Sequence, residues 1–236
     1  MRLALESPDH RAILVAPPVH YAQRVSRGRL ITIEGIDGSG KTTLATALRE
    51  ALAERTDASV ELLREPGGVA AAERIRELVM DRTLSIAPRA EALLYAAARA
   101  QLVQERVRPL LEAGTWVLLD RFIDSSLVYQ GGGRELGIDE IRRLNSFGTA
   151  DLTPDRTLLL RIDPDAGRAR QAGRGSTPDR LELEDEAFFS RIATAYDDLA
   201  TADPDRFRVI DARQPVEQVL EDALDAVADM LGAEAA

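Results

Sequence analysis

Gly35-Ile36-Asp37-Gly38-Ser39-Gly40-Lys41-Thr42 is the stretch on which the fold turns, because it matches the phosphate-cradling pattern G-x-x-x-x-G-K-[ST]. Its lysine is the only one in 236 residues; the other 29 of the 30 Lys+Arg positions are arginine. A compact ammonium on a flexible stem reaches between the β- and γ-phosphates of a nucleotide, where a planar guanidinium is too wide. The glycines let backbone amides curl round an anion, and the Thr42 hydroxyl suits a magnesium ion. The flanks agree. Leu30-Ile31-Thr32-Ile33-Glu34 reads as a short buried strand, and Leu44, Leu48 and Leu52 recur as one face of a helix. Strand, glycine loop and helix together aim a helix N-terminus at phosphate.

Outward from the loop, strands alternate with helices, which predicts a parallel sheet covered on both faces. Strands are expected at 30–34, 60–64, 115–120, 156–162 and 206–210. Helices are expected at 41–55, 70–80, 89–113, 138–148, 165–172, 185–201 and 215–231, with Pro109 bending or interrupting the third and Gly114 ending it. The fold class is therefore α/β, a P-loop NTPase fold with a five-stranded parallel sheet flanked by helices and a lid segment. Residues 1–28 hold three prolines, both histidines and no amphipathic period, and read as a poorly ordered extension; residues 29–236 form the domain. His10 and His20 have no ligand cluster around them, so no metal is assigned there.

Composition narrows the function classes. No run of eighteen apolar residues could span a membrane, and nothing resembles a secretion signal. The chain has no cysteine, which excludes disulfides and thiolate metal sites and is compatible with a reducing cytoplasm. A net charge of −10 argues against a nucleic-acid partner, whose phosphates need a basic footprint.

Three further segments fall on the same sheet edge as the loop. The third strand ends Trp116-Val117-Leu118-Leu119-Asp120-Arg121, delivering an acid and a base where open α/β sheets bind ligands. Arg64-Glu65-Pro66-Gly67-Gly68 closes the second strand, and Tyr129-Gln130-Gly131-Gly132-Gly133-Arg134 follows the third; both read as glycine-rich loops bracketed by arginine. With Tyr95-Ala96-Ala97-Ala98-Arg99, the ordered set resembles the thymidylate kinase family over residues 29 to about 232. That resemblance implies transfer of a phosphoryl group from ATP to dTMP, with Mg²⁺, in a cytoplasmic homodimer.

It also implies roles for individual residues. Gly35 through Thr43 (Ile36, Asp37, Gly38, Ser39, Gly40, Lys41, Thr42) grip ATP, and Thr42 holds Mg²⁺ with Asp120 acting through water. Asp37 accepts from the sugar 3′-hydroxyl, while Arg64 and Arg121 hold the acceptor phosphate, a task suited to bidentate pairing. Tyr95 stacks on thymine and Arg99, one helical turn on, bonds its edge; phenylalanine is usual at the stacking position, and tyrosine keeps the π-face. Ser125 or Ser126 presents a hydroxyl to the ring, although capping of a helix would explain both, and the sequence does not say which reads the base. Tyr129 packs against C2′ and rejects ribose; Glu65 is a weaker candidate beside the acceptor phosphate or its magnesium.

Residues 168–180 carry Arg168, Arg170, Arg174 and Arg180 among glycines and a proline, the composition of a cationic flap, although a solvated helix end would look similar. Gly38 stands where one branch of the family has a loop arginine. Bacterial members of the other branch supply that charge from the lid, and Arg174 is the best match, with Arg170 and Arg180 supporting. The acceptor phosphate is already a nucleophilic anion, so no general base is assigned; catalysis is positioning and charge stabilisation by Lys41, Arg121, Arg174 and Asp120. Ile210 to Pro215 aligns with a loop whose backbone meets adenine in similar kinases, though a helix-starting turn accounts for it equally well. A GTPase switch lacks support because no second lysine exists for an N-K-x-D guanine motif. A motor ATPase lacks it because Asp120 is followed by Arg121 and not by an acid. The nearest rival is a kinase for another nucleotide or nucleoside.

Overall fold

The computed structural model describes residues 27–173 and 179–231. Five strands pair in parallel in the order β2-β3-β1-β4-β5. They are β1 Leu30–Glu34, β2 Val60–Arg64, β3 Trp116–Asp120, β4 Arg156–Arg161 and β5 Phe207–Asp211. Near-continuous apolar runs are what a sheet buried on both faces requires, and every residue of β1 is buried. The pleat divides them: Ile31 and Ile33 pack with Leu118 in one core cluster, whereas Leu30, Val117 and Leu119 belong to a second. Thr32 is the polar exception at the centre of β1, and its hydroxyl shares a 2.9 Å hydrogen bond with Thr157 Oγ1 on β4.

Helix α1 (Lys41–Ala53) buries Leu44, Leu48 and Leu52, the stripe expected from their spacing. It packs in the first cluster with α8 (Glu186–Ala202) and α9 (Val216–Asp225). The second cluster is covered by α2 (Ala70–Met80) and α3 (Pro88–Leu102). Asp163 and Asp185 cap α7 (Pro164–Ala172) and α8, accepting from Asp165 N at 2.9 Å and Phe188 N at 2.8 Å. Most element ends lie within two residues of their expected positions.

Three expectations need correction. The helix expected at 89–113 does not break at Pro109: α3 runs on through a π-helical turn, Val103–Val107, into α4 (Arg108–Glu112). Pro109 lies inside this continuous helical run, and the turn before it is widened to π geometry, which accommodates a ring that cannot donate to the preceding turn. The segment expected as a glycine-rich loop is helical: α5 (Ile123–Ser126) leads directly into a π-helical stretch, Leu127–Gly133. Its glycines serve close packing. A Cβ on Gly131 would lie 3.1 Å from Ile138 Cα of α6 (Ile138–Thr149), and one on Gly133 would lie 2.6 Å from the Phe188 ring. The C-terminal helix divides into α9 and a short α10 (Ala228–Leu231).

Arg27 and Gly28, read as part of the extension, are tied to the domain: Gly28 N donates to Leu111 O at 2.8 Å and Arg27 donates to Asp155. Residues 1–26, with both histidines, lie outside the described residues. No helix among the described residues is long and apolar enough to cross a membrane.

Leu118 is fully buried on β3, beside the central strand β1. Leu118→Ala should therefore cost about 2–5 kcal/mol, read as a lower urea midpoint at unchanged slope. A loss under about 1 kcal/mol would show that the sheet is not packed on that face.

Candidate active site

Parallel register brings the carboxyl ends of β1, β2 and β3 to one edge. Ile33 lies beside Asp120, and Asp120 beside Arg64, so the loop after each strand opens on the same cleft. That cleft holds about 610 Å³. Asp37, Gly38, Gly40, Lys41 and Thr42 of the phosphate loop line it with Arg64, Tyr95, Arg99, Asp120, Arg121, Ser125, Ser126 and Tyr129, whereas Gly35, Ile36, Ser39 and Thr43 do not. The sequence-predicted binding residues thus converge, although they span almost a hundred positions.

At the donor end, Gly40 adopts φ 98° at the start of α1, and α1 has no side-chain cap. Its first amides are therefore available to an anion, as the motif requires. Lys41 is 7% exposed, donates to Ile36 O at 2.9 Å and lies 3.9 Å from Asp37 Oδ1. Burial first, then the neighbouring Arg121 charge, pull its ammonium down to about 8, against the attraction of Asp37 and Asp120. Thr42 Oγ1 donates to Asp120 Oδ2 at 2.8 Å, placing a hydroxyl and a carboxylate together at the mouth of the loop.

Gly38 has a further constraint. With φ at 81°, a Cβ there would fall 2.0 Å from Gly167 O on α7, and a Cβ on Gly167 would fall 2.8 Å from Asp37 O. The loop and α7 meet backbone to backbone, so in this conformation position 38 has no room for any side chain.

The centre of the cleft is organised by Arg121, whose backbone leaves β3 with φ at 70°. Its guanidinium donates to Gly35 O and Ser125 Oγ, both at 3.1 Å, to Asp37 Oδ1, and to Tyr129 OH at 3.3 Å. It also stacks 5.1 Å from the Tyr129 ring centroid, and Tyr129 OH donates to Asp37 Oδ2 at 2.9 Å. Burial would raise Asp37, but Arg121 and Lys41 overcome it and hold the carboxyl at about 2. Behind them lies Glu34, fully buried, which sequence reasoning passed over as the last residue of a strand. It accepts from Phe122 N at 2.8 Å, Ser125 Oγ at 2.6 Å and Tyr196 OH at 2.8 Å.

The acceptor end is built on α3. Tyr95 and Arg99 share its buried face, as their spacing implied. Arg99 is 2% exposed and largely committed within the protein. Nε donates to Glu65 Oε2 at 2.7 Å, Nη1 to Ser126 Oγ at 2.9 Å and to Asn145 Oδ1, and Nη2 to Phe122 O at 3.0 Å. A guanidinium has five N–H groups, which leaves one uncommitted. Burial pushes Glu65 up to about 7, with Arg99 opposing. Through the 2.7 Å bond Glu65 orients the Arg99 guanidinium; among the described residues no group of three or more His, Cys, Asp or Glu could hold a metal. The two serines separate: Ser125 is spent on Glu34 and Arg121, while Ser126 sits beside Arg99.

Arg64, half exposed, is held by Glu73 at 3.0 and 3.2 Å, and Glu73 also accepts from Gly68 N at 2.7 Å. Neither Glu73 nor Arg76, a cleft-lining arginine on α2 that donates to Pro66 O at 2.9 Å, was found from sequence. Both sit on an ordinary charged helix whose only signal was proximity to Arg64-Glu65-Pro66. Of the lid arginines, Arg174 lies outside the described residues. The others do not line the cleft: Arg168 pairs with Asp165, Arg170 donates to Ala212 O at 2.8 Å, and Arg180 pairs with Glu91 at 2.7 Å. In this structure Arg170 is held by a carbonyl in the turn after β5 and Arg180 by a buried carboxylate.

The same residues lie inside a family match. A sequence model described as thymidylate kinase matches residues 33–223. Thymidylate kinases of Alkalilimnicola ehrlichii and Deinococcus radiodurans are 46% and 47% identical, each over 83% of this chain and over 90% and 94% of their own lengths. That of Bifidobacterium longum is 48% identical over 81% of this chain and 93% of its own. The crystal structure of thymidylate kinase from Ehrlichia chaffeensis superposes with a TM-score of 0.71 at 29% identity, covering 86% of this chain and 99% of that one. The cleft reached from the phosphate loop upward and the relatives reached by comparison point to one assignment, and the chain belongs to the thymidylate kinase family.

Proposed function

We propose that this chain transfers the γ-phosphoryl group of ATP to dTMP, giving dTDP and ADP, by in-line displacement across the cleft. One observation carries the reading: the phosphate loop and the Tyr95–Arg99 base pocket line a single cavity, with Arg121 between them. An oxygen of the acceptor phosphate attacks the γ-phosphorus as the bond to the β,γ-bridging oxygen breaks, and the negative charge leaves on ADP. No proton need move in the protein. Lys41 and the amides at the start of α1 hold the donor phosphates; Arg121 and Arg64 hold the acceptor phosphate by exchanging carboxylate partners for phosphate oxygens. Asp37, kept ionised by Arg121 and Lys41, takes the 3′-hydroxyl, and Tyr129 closes the space at C2′. Tyr95 stacks on the base, Arg99 contributes its remaining N–H, and Ser126 is the serine that reads the ring.

The Thr42 hydroxyl and the Asp120 carboxylate are hard oxygen donors, the set that suits Mg²⁺. They would hold it, Asp120 through water, and the ion would neutralise charge between the β- and γ-phosphates. The protein offers no complete cage among its described residues, consistent with a metal that arrives with ATP. A homodimer is supported by exposed apolar side chains on two helices in mutual contact: Phe147 on α6 is 89% exposed and Leu93 on α3 is 57% exposed. Such a face, on the side of α3 away from Tyr95 and Arg99, fits a second copy of the chain.

An acceptor panel tests the reaction. ADP release should be fastest with dTMP, slower with dUMP, and weak with dCMP, dGMP and thymidine; a preference for dCMP or thymidine would reject the assignment.

Gly38 leaves the loop without an arginine and without space for one. Arg174→Ala should therefore lower kcat on the order of 10³-fold while changing dTMP affinity little; near-normal kcat would remove Arg174 from the mechanism.

Because burial and Arg121 hold the Lys41 pKa down at about 8, and bound phosphates favour the ammonium, ATP binding must take up a proton above that pH. ATP affinity should be flat below about pH 8 and fall up to about tenfold per unit above it. In Lys41→Arg the step should vanish, since arginine stays charged, and turnover should be nearly lost. A wild-type affinity that does not change between about pH 7 and pH 9 would contradict this linkage.

A further inference from the structure

Glu91 is fully buried near the start of α3, one turn before Tyr95, and takes no part in the chemistry above. It does not line the cleft, yet side chains from three directions converge on its carboxylate. Gln130 Nε2 donates to Oε1 at 3.0 Å, and Arg134 donates from Nε to Oε1 at 3.3 Å and from Nη2 to Oε2 at 3.1 Å. Arg180 Nη2 lies 2.7 Å from Oε2. Arg134 also pairs with Glu184 at 2.7 Å, so two arginines and two glutamates form a charge-balanced group of four. Arg180 is fixed a second time, donating from Nε to Val79 O on α2 at 3.0 Å.

Each spoke of this hub leads to the cleft. Gln130 lines it directly and sits next to Tyr129. Asp179, Leu181 and Glu182, on either side of Arg180, form part of its wall, and Asp179 Oδ1 accepts from both Leu181 N and Glu182 N at 2.8 and 2.9 Å. Without Glu91, Arg180 would keep Val79 O and Arg134 would keep Glu184, but the two largely buried guanidinium groups would lose the counter-charge they share.

We propose that Glu91 is a positioning residue for the acceptor side of the cleft, fastening the 179–184 segment to α3 and to the π-helical stretch that carries Tyr129 and Gln130. The inference rests on the proposed function in one respect: the wall it fastens faces the Tyr95–Arg99 pocket, so its loss should be felt by dTMP and not by ATP.

The test is steady-state kinetics on the full chain, with dTMP and ATP varied separately, for wild type, Glu91→Gln, Arg180→Gln and the double variant. Failure of the wild type to turn over dTMP would sink the proposed function, not this inference. Each single variant should raise KM for dTMP about tenfold or more while KM for ATP and kcat stay within about threefold. The double variant should be no worse than the poorer single, because both substitutions break one contact. Arg180→Gln leaves Glu91 paired with Arg134, so it carries the test alone should Glu91→Gln fail to fold. Equal rises in both KM values, effects that multiply in the double variant, or a dTMP KM within about twofold of wild type in Arg180→Gln would overturn the proposal.

Discussion

The ion pair between Asp37 and Arg121 joins the two halves of this active site, since Asp37 belongs to the phosphate loop after β1 and Arg121 to the first residue after β3. Tyr129 closes the triangle by donating to Asp37 and lying under the Arg121 guanidinium. The loop is thereby held on the strand exit, and Lys41, four residues further on, is placed beside the same acid. Arg121 adopts a left-handed backbone conformation that a bulky residue reaches only at a cost, and the surrounding contacts offset it. Protein oxygens of Gly35, Asp37 and Ser125 already fix the orientation of the Arg121 guanidinium, so the cleft is organised without a ligand.

A molecule of net charge −10 must assemble cations for two nucleotides without letting them repel one another. It does so by giving three of the four cleft arginines a carboxylate: Arg64 to Glu73, Arg99 to Glu65, Arg121 to Asp37. Buried ion pairs contribute little net stability, because desolvation nearly cancels their attraction. Their value here is geometric. Each pair orients a fork of N–H groups, and a long flexible side chain becomes a fixed part of the cleft wall.

Much of the fold was legible in the chain because it is written in local patterns. The apolar run of β1 and the Leu44–Leu48–Leu52 stripe need only the periods of strand and helix, and both appear as read. Tyr95 and Arg99 share a face because helical geometry allows nothing else at that spacing. The run Gly131-Gly132-Gly133 was misread for a definite reason. Glycine marks both flexible turns and crowded contacts, and only the neighbours Ile138, Ala195 and Phe188 reveal that this run is crowded. The partner of Arg180 was equally illegible, since an arginine near a lid looks the same whether it faces phosphate or, as in this structure, a buried acid 89 positions earlier.

By itself the sequence determined that a phosphate loop opens on a parallel sheet edge, and which residue types gather there, since both follow from spacing along one strand or helix. Tertiary structure decided which groups are spent and which are free: Ser125 on Glu34, most of Arg99 on Glu65, Asn145 and Phe122, and Gly38 against Gly167. The physical reason is range. Periodicity acts over a few residues, whereas a buried polar group takes whichever partner the packing of distant segments brings within about 3 Å.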